Sequence, residues 1–115
     1  QFHNYKASHI WALALVAYRN EDYTNALTLI ANSFALRNTS PFHLSFMHAL
    51  KAMTLYKMAQ IQMAKQELEL AKTPVEKTYK NGISKINNTG AWFQWHIAKI
   101  YISEAEKMMN DPPAQ

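Results

Sequence analysis

Apolar and polar positions in the first third of the chain follow the order of a helix, a short break and a second helix. Residues 10–18 are apolar at every position, and a helix with apolar side chains all round must be covered on most of its sides. Polar residues 19–22 form the break, where Asp22 is suited to cap the next helix. Apolar residues then recur at helical spacing, at Tyr23, Ala26 or Leu27, Ile30 and Phe34. The pattern predicts a helical hairpin over residues 8–36.

Residues 44–71 repeat this order, with a break at residues 59–60. Apolar residues on the inward side of the second arm are Ile61, Ala64, Leu68 and Ala71. The separation of Ala14 from Ala26 equals that of Ala52 from Ala64. We call the sequence separation of Ala14 from Ala52, which equals that of Ala26 from Ala64, the repeat offset. An internal repeat of two helical hairpins is therefore predicted.

The two hairpins resemble tetratricopeptide (TPR) repeats. In that family a small residue in the first helix lets the second approach, a large apolar residue opens the second helix, and an alanine follows three residues later. The corresponding residues are Ala14, Tyr23 and Ala26, then Ala52, Ile61 and Ala64. The repeat offset exceeds the family's period of about 34 residues, the glycine-aromatic signature of helix one is missing, and Pro41 and Pro74 stand late for its closing proline. Degenerate TPR-like helical repeats fit almost as well.

The C-terminal stretch 91–109 resembles the final helix of TPR-like C-terminal regions in large multidomain bacterial proteins, some of them Ser/Thr protein kinases. The resemblance depends on Trp92, Trp95 and the run 103–106. Apolar residues at the spacing of a buried seam predict that this helix packs on the second hairpin, chiefly on Ile61, Ala64 and Leu68. The seam residues are Trp95, Ala98, Ile102, Ala105 and Met109.

We therefore expect an all-α fold with TPR-like antiparallel hairpins in a single domain of residues 1–115. Repeat one spans about 7–36, repeat two about 41–72, a linker or short helix 73–90, and the final helix 91–109. Ser40-Pro41 and Thr73-Pro74 are helix-start signals. The helix after Pro74 is expected to end near Gly82, with a hairpin at Asn81-Gly82 as the alternative.

Composition supports an all-helical fold that hides apolar surface against something else. The chain has two glycines and four prolines among 115 residues, with 49% apolar and only 17% charged residues, against about 25% charged in an average soluble domain. A solenoid has little interior, so much of that apolar surface needs another cover. Because the chain has no cysteine, it can form neither disulfides nor thiolate metal sites, and cysteine usage does not indicate its redox compartment.

The net charge of +4 comes from lysines of the second half of the chain. Arginines and aromatic residues are not interleaved with them, so nucleic acid is not an expected partner. No apolar run approaches the length of about 18 residues that a membrane span needs. Residues 10–18 lack a cleavage site for a signal peptide, and a cytoplasmic location is favoured. Because the chain begins with Gln1, we expect it to be a piece of a longer protein.

The polar residues do not form a motif for catalysis, a cofactor or a metal. His43 and His48 do not share a helix face as an i, i+4 pair would, and the other histidines are scattered. Serines and threonines lack a neighbouring base in a recognisable motif, and no glycine loop is present to hold phosphate. We expect no enzymatic activity, no cofactor and no metal.

The TPR resemblance implies a concave groove lined by the first helices of the hairpins and by the last helix. Candidate groove residues are Trp11, Leu15, Tyr18, Phe46, Met53, Tyr56, Trp92 and Lys99. With so few cations, a groove that grips a peptide carboxylate is disfavoured, and an extended or helical apolar segment fits better. Helices of this chain or of its parent are the alternative occupant.

The expected function is a non-catalytic protein- or peptide-binding scaffold within a longer bacterial protein, whose partner is a protein, a peptide or a neighbouring domain. Homo-oligomerisation or intramolecular packing is the alternative. A third hypothesis, that the chain is an accessory domain of a Ser/Thr protein kinase, depends on the C-terminal resemblance alone.

Overall fold

The structure, a computed structural model, describes residues 7–36, 41–80 and 92–110, and within these ranges it is all-α, without a strand. The all-α class predicted from the sequence is confirmed. The helices are α1 (Ala7–Arg19), α2 (Tyr23–Phe34), α3 (Pro41–Lys57), α4 (Ile61–Lys80) and α5 (Trp92–Asn110).

The two hairpin turns are built in the same way. In the first turn the amide of Asp22 donates to the carbonyl of Ala17 over 2.8 Å. In the second, the amide of Gln60 donates to the carbonyl of Leu55, also over 2.8 Å. The step from Asp22 to Gln60 equals the repeat offset, so the two turns match at the spacing of the sequence repeat. Asp22 takes the N-cap position of α2, but its side chain makes no capping hydrogen bond.

Helix α4 runs through Pro74 without a break, so the predicted helix start at Thr73-Pro74 is wrong. A proline inside a helix removes one hydrogen bond and costs about 3 kcal/mol. The lost bond would have been accepted by Leu70, which is exposed, so water can replace it. The buried seam of α4 extends beyond the proline to Val75, and burial of that residue favours continuation. The predictions at Asn81-Gly82 lie outside the described residues.

Helix α3 is the centre of the fold and contacts each of the other four helices. Its middle is buried on most sides, including two hydroxyl-bearing residues, Ser45 and Thr54. The Thr54 hydroxyl donates to the carbonyl of Leu50 over 2.7 Å, so its burial leaves no unmade bond. Buried apolar residues of α3 are Phe46, Met47, Ala49, Leu50, Ala52, Met53 and Leu55.

Helix α5 packs mainly against α3 and less against α4. The predicted seam is confirmed, since Trp95, Ala98, Ile102 and Ala105 are buried and Met109 packs partly buried against the core.

Helix α5 meets α4 near the end of that helix rather than at its start. Lys72 Nζ lies 3.2 Å from Glu106 Oε2, and hydrogen bonding to Glu106 raises the pKa of Lys72. Ile61, where the sequence placed part of the docking surface, is 39% exposed. That part of the prediction is wrong, because the side of α3 takes up most of the α5 seam.

Replacing either Ala26 or Ala64 with leucine should lower the free energy of unfolding by about 1–3 kcal/mol, because both residues are fully buried between helices and a larger side chain overpacks the site. Urea unfolding followed by circular dichroism measures the change. The control is Ala31→Leu, at an exposed position of α2, which should change stability little. Equal effects at all three positions would contradict close packing at the two buried alanines.

Glu21 and Ala59 occupy equivalent turn positions with φ of 64° and 66°. Replacing Ala59 with glycine should raise the free energy of unfolding by about 0.5–1 kcal/mol. The left-handed conformation costs a non-glycine residue about 1–2 kcal/mol, and the greater freedom of glycine in the unfolded chain offsets about 0.4–1 kcal/mol of the gain. Ala31→Gly, inside α2, should instead lower stability by about 1 kcal/mol. A loss of stability from both changes would contradict the strained turn.

Candidate functional site

The middle of the predicted concave groove is closed by aromatic side chains of this chain. The Trp11 ring on α1 lies 5.1 Å from the ring of Phe46 on α3, measured between ring centroids. Tyr101 on α5 contacts both, edge-on, at 6.0 Å from Trp11 and 5.9 Å from Phe46. Edge-to-face pairs at these distances stabilise by about 0.5–1.5 kcal/mol each beyond the area they bury. Helix α5 thus fills the groove where two of its predicted lining residues meet.

Tyr101 is a residue of this site that the sequence reasoning missed. It lies one position before Ile102, a member of the buried seam, and a strict seam pattern assigns it to a flank. The signal for Tyr101 in the sequence was a large aromatic residue beside the seam, because such a side chain can reach a second neighbouring helix.

The other candidate groove residues are spread over different environments. Tyr18 is 5% exposed and Met53 is fully buried, so Met53 is inaccessible to a ligand in this conformation. Leu15 and Tyr56 are half-buried and Lys99 is exposed. Trp92 begins α5, but its side chain lies outside those that the structure describes.

One end of the groove remains open as a pocket of about 360 Å³. It is lined by Tyr18, Arg19, Glu21, Tyr23, Lys57, Glu104 and Met108. The guanidinium of Arg19 in this pocket is already engaged, because it donates to both carboxylate oxygens of Glu104 over 2.6 and 2.9 Å. Hydrogen bonding to that carboxylate raises the pKa of Arg19. The two acidic and two basic side chains balance, so the pocket has no strong preference for an anion.

The outer face of α1, meaning His9, Ala12, Leu13 and Val16, is exposed and mostly apolar. Leu13 is 44% exposed and Val16 is 56% exposed. These four residues line one concavity of about 360 Å³. Leu13 and Val16 also line a second one of similar size, which ends at the polar residues Asn20, Asp22 and Asn25. The prediction that helix 10–18 is covered on most sides allows one open side, and this is a side on which no described helix packs.

The outer face of α5, meaning its exposed side, differs in character from that of α1. Its exposed residues are His96, Lys99, Ile100, Ser103, Lys107 and Asn110, of which only Ile100 is apolar. The exposed side of α5 is therefore mostly polar, whereas the exposed side of α1 is mostly apolar.

A polar cluster joins three helices away from these surfaces. His48 Nδ1 lies 2.7 Å from Glu67 Oε1, and Lys51 Nζ lies 3.6 Å from the other carboxylate oxygen. The Phe34 ring lies 4.6 Å from the His48 ring, nearly stacked on it. Each polar member thus has a neighbour that explains its partial burial, and the cluster ties α3 to α2 and α4. Within the described ranges, no three His, Cys, Asp or Glu side chains are grouped as metal ligands.

Among the described helices none is long and apolar enough to cross a membrane. Comparisons with known protein families, curated proteins and solved structures find no match to this chain.

Burial raises the pKa of Tyr18 to about 12, and the nearby Glu104 carboxylate adds to the shift by disfavouring the phenolate. The folded-state pKa lies above the unfolded value of 10.0. The stability that this neutral phenol contributes is therefore complete below about pH 10 and is lost as the pH rises towards about 12.

Subtracting the ultraviolet titration of Tyr18→Phe from that of the unchanged protein should show no phenolate until at least about one pH unit above the ordinary tyrosine value. A difference spectrum that appears at the ordinary value would show that Tyr18 is open to solvent. Circular dichroism at each pH confirms that both proteins remain folded during the titration.

Proposed function

We propose that this chain is a non-catalytic, TPR-like protein-interaction module that uses the outer face of α1. The observation that carries the proposal is the pair of exposed apolar residues Leu13 and Val16 on a helix that is apolar along most of its length. A contiguous exposed apolar face with a polar margin is typical of a surface that binds another protein.

The repeat architecture supports this proposal. The two hairpins share their turn geometry at the repeat offset, and Ala14, Ala26, Ala52 and Ala64 are all fully buried. Small buried residues at equivalent positions of both hairpins are what the TPR resemblance implies. Repeat scaffolds of this kind bind partners through extended surfaces of stacked helices.

The concave groove contributes less to the proposed function than the sequence suggests. Its middle is occupied by the Trp11, Phe46 and Tyr101 rings, and its open end contains an ion pair that a ligand would have to break. The outer face of α1 binds without such a cost, because its side chains are already exposed.

A selection of phage-displayed random peptides against the 115-residue chain tests the proposal. We expect the selected peptides to be apolar and to shift the backbone amide resonances of α1 around Leu13 and Val16. Val16→Asp should weaken their binding roughly tenfold or more, because docking would bury an unpaired carboxylate. The matched control is Leu70→Asp, at a similarly exposed apolar position on α4, which should leave binding unchanged.

Peptides that bind Val16→Asp as tightly as the unchanged protein would contradict the proposal, as would peptides that map to the pocket beside Tyr18.

Light scattering over a wide range of concentrations tests the alternative function, self-association. We expect a constant monomer mass. A dimer that reverts to monomer in Val16→Asp would replace partner binding with homo-oligomerisation.

A further inference from the structure

The internal repeat shows which residues of the second hairpin correspond to the outer face of α1. The turn residues Glu21 and Ala59 are separated by the repeat offset and match in φ and in their hydrogen bonds. Applied to α1, this offset pairs each exposed residue with one on α3. The counterparts of His9, Ala12, Leu13 and Val16 are Met47, Leu50, Lys51 and Thr54.

These counterparts on α3 are covered. Met47 and Thr54 are fully buried and Leu50 is 2% exposed. Lys51 is half-buried, and its ammonium lies 5.8 Å from the centre of the Phe34 ring. Three of the four register positions are therefore interior on α3 and the fourth is half-buried, whereas all four are exposed on α1.

Helix α2 contributes directly to this cover. It packs against α3, and its last residue, Phe34, lies over both Lys51 and His48. The inward residues of α2 are Ala26, Leu29, Ile30 and Ser33, all buried. Helix α2 packs against both α1 and α3, so an amphipathic helix with small and aliphatic residues in its stripe is what this fold places beside such a face.

We propose that the outer face of α1 is a docking site for one amphipathic helix of a partner, seated on α1 as α2 is seated on α3. This inference rests on the proposed function and names the kind of partner. Leu13 stands where α3 has Lys51, and the apolar Phe34 ring lies over Lys51. An apolar residue of the partner helix therefore fits over Leu13. Asp22 is an exposed carboxylate at the far margin of the face, where a lysine or arginine of the partner complements it.

A second copy of the chain stacked end to end is a poorer occupant. Stacking copies end to end would place the outer face of α5 against α1, and that face carries His96, Lys99, Ser103 and Lys107. Burying those side chains against the apolar residues of α1 would desolvate polar groups without providing partners for them. A separate helix has no such penalty.

The test uses a peptide of residues 22–36, the α2 sequence of this chain, with blocked ends and a fluorescent label. Its fluorescence anisotropy is titrated with the intact 115-residue protein. We expect saturable binding that Val16→Asp weakens roughly tenfold or more and that Leu70→Asp leaves unchanged. A peptide in which Leu29 and Ile30 are both replaced with aspartate should not bind, and circular dichroism confirms that each protein variant is folded.

Amide resonances should shift along α1 on the side of Ala12, Leu13 and Val16. Shifts confined to α3, with equal affinity for Val16→Asp, would show that the peptide displaces the chain's own α2, and would overturn the inference. A dimer that is lost in Val16→Asp would overturn it in favour of a second copy.

Failure of this inference can be told from failure of the proposed function. If the α2 peptide does not bind but library-selected peptides bind at Leu13 and Val16, the face binds partners and the α2-like helix is the wrong occupant. If neither binds, both proposals are wrong.

Discussion

Every other part of the structure depends on the burial of α3. Its apolar side chains point in all directions, so no single neighbour can cover them, and a helix of this kind is stable in water only when it is surrounded. Helices α1, α2, α4 and α5 each contact it. Because ordering each residue costs about 1–2 kcal/mol, the outer helices are held by the apolar area that they share with α3 rather than by their own ion pairs. The Arg19–Glu104 pair is largely exposed, and such pairs contribute about 0–1 kcal/mol.

A second consequence of this arrangement is the difference between the exposed sides of α1 and α5. Helices α1 and α3 carry the same dense apolar pattern and precede turns of matching geometry, but of the two only α3 is contacted by all the other described helices. Helix α1 lacks an equivalent of α2 on its outer side among the described residues, and this leaves Leu13 and Val16 exposed. The exposed side of α5 is mostly polar. The apolar face of α1 belongs to one helix, so single substitutions can test it.

The aromatic residues contribute mainly to packing in the interior. Trp11 and Phe46 were candidate ligand contacts in the sequence, and in the structure they pack against Tyr101. This packing moves the proposed interaction surface from the concave side of the hairpins to their outer side. The last helix also buries apolar side chains of α1 and α3 that the groove would otherwise expose.

The sequence by itself determined the helices, the turn positions, the repeat offset between the hairpins and the seam of α5, because periodic burial and turn chemistry are local properties. Tertiary structure decided the rest. The end of α4 could not be predicted from Pro74, since burial of Val75 outweighs a local start signal. The contact of Tyr101 with Trp11 joins residues near opposite ends of the chain and depends on how three helices cross. Which side of α1 stays open depends on the number of neighbouring helices, and a helix that is apolar all round does not encode that number.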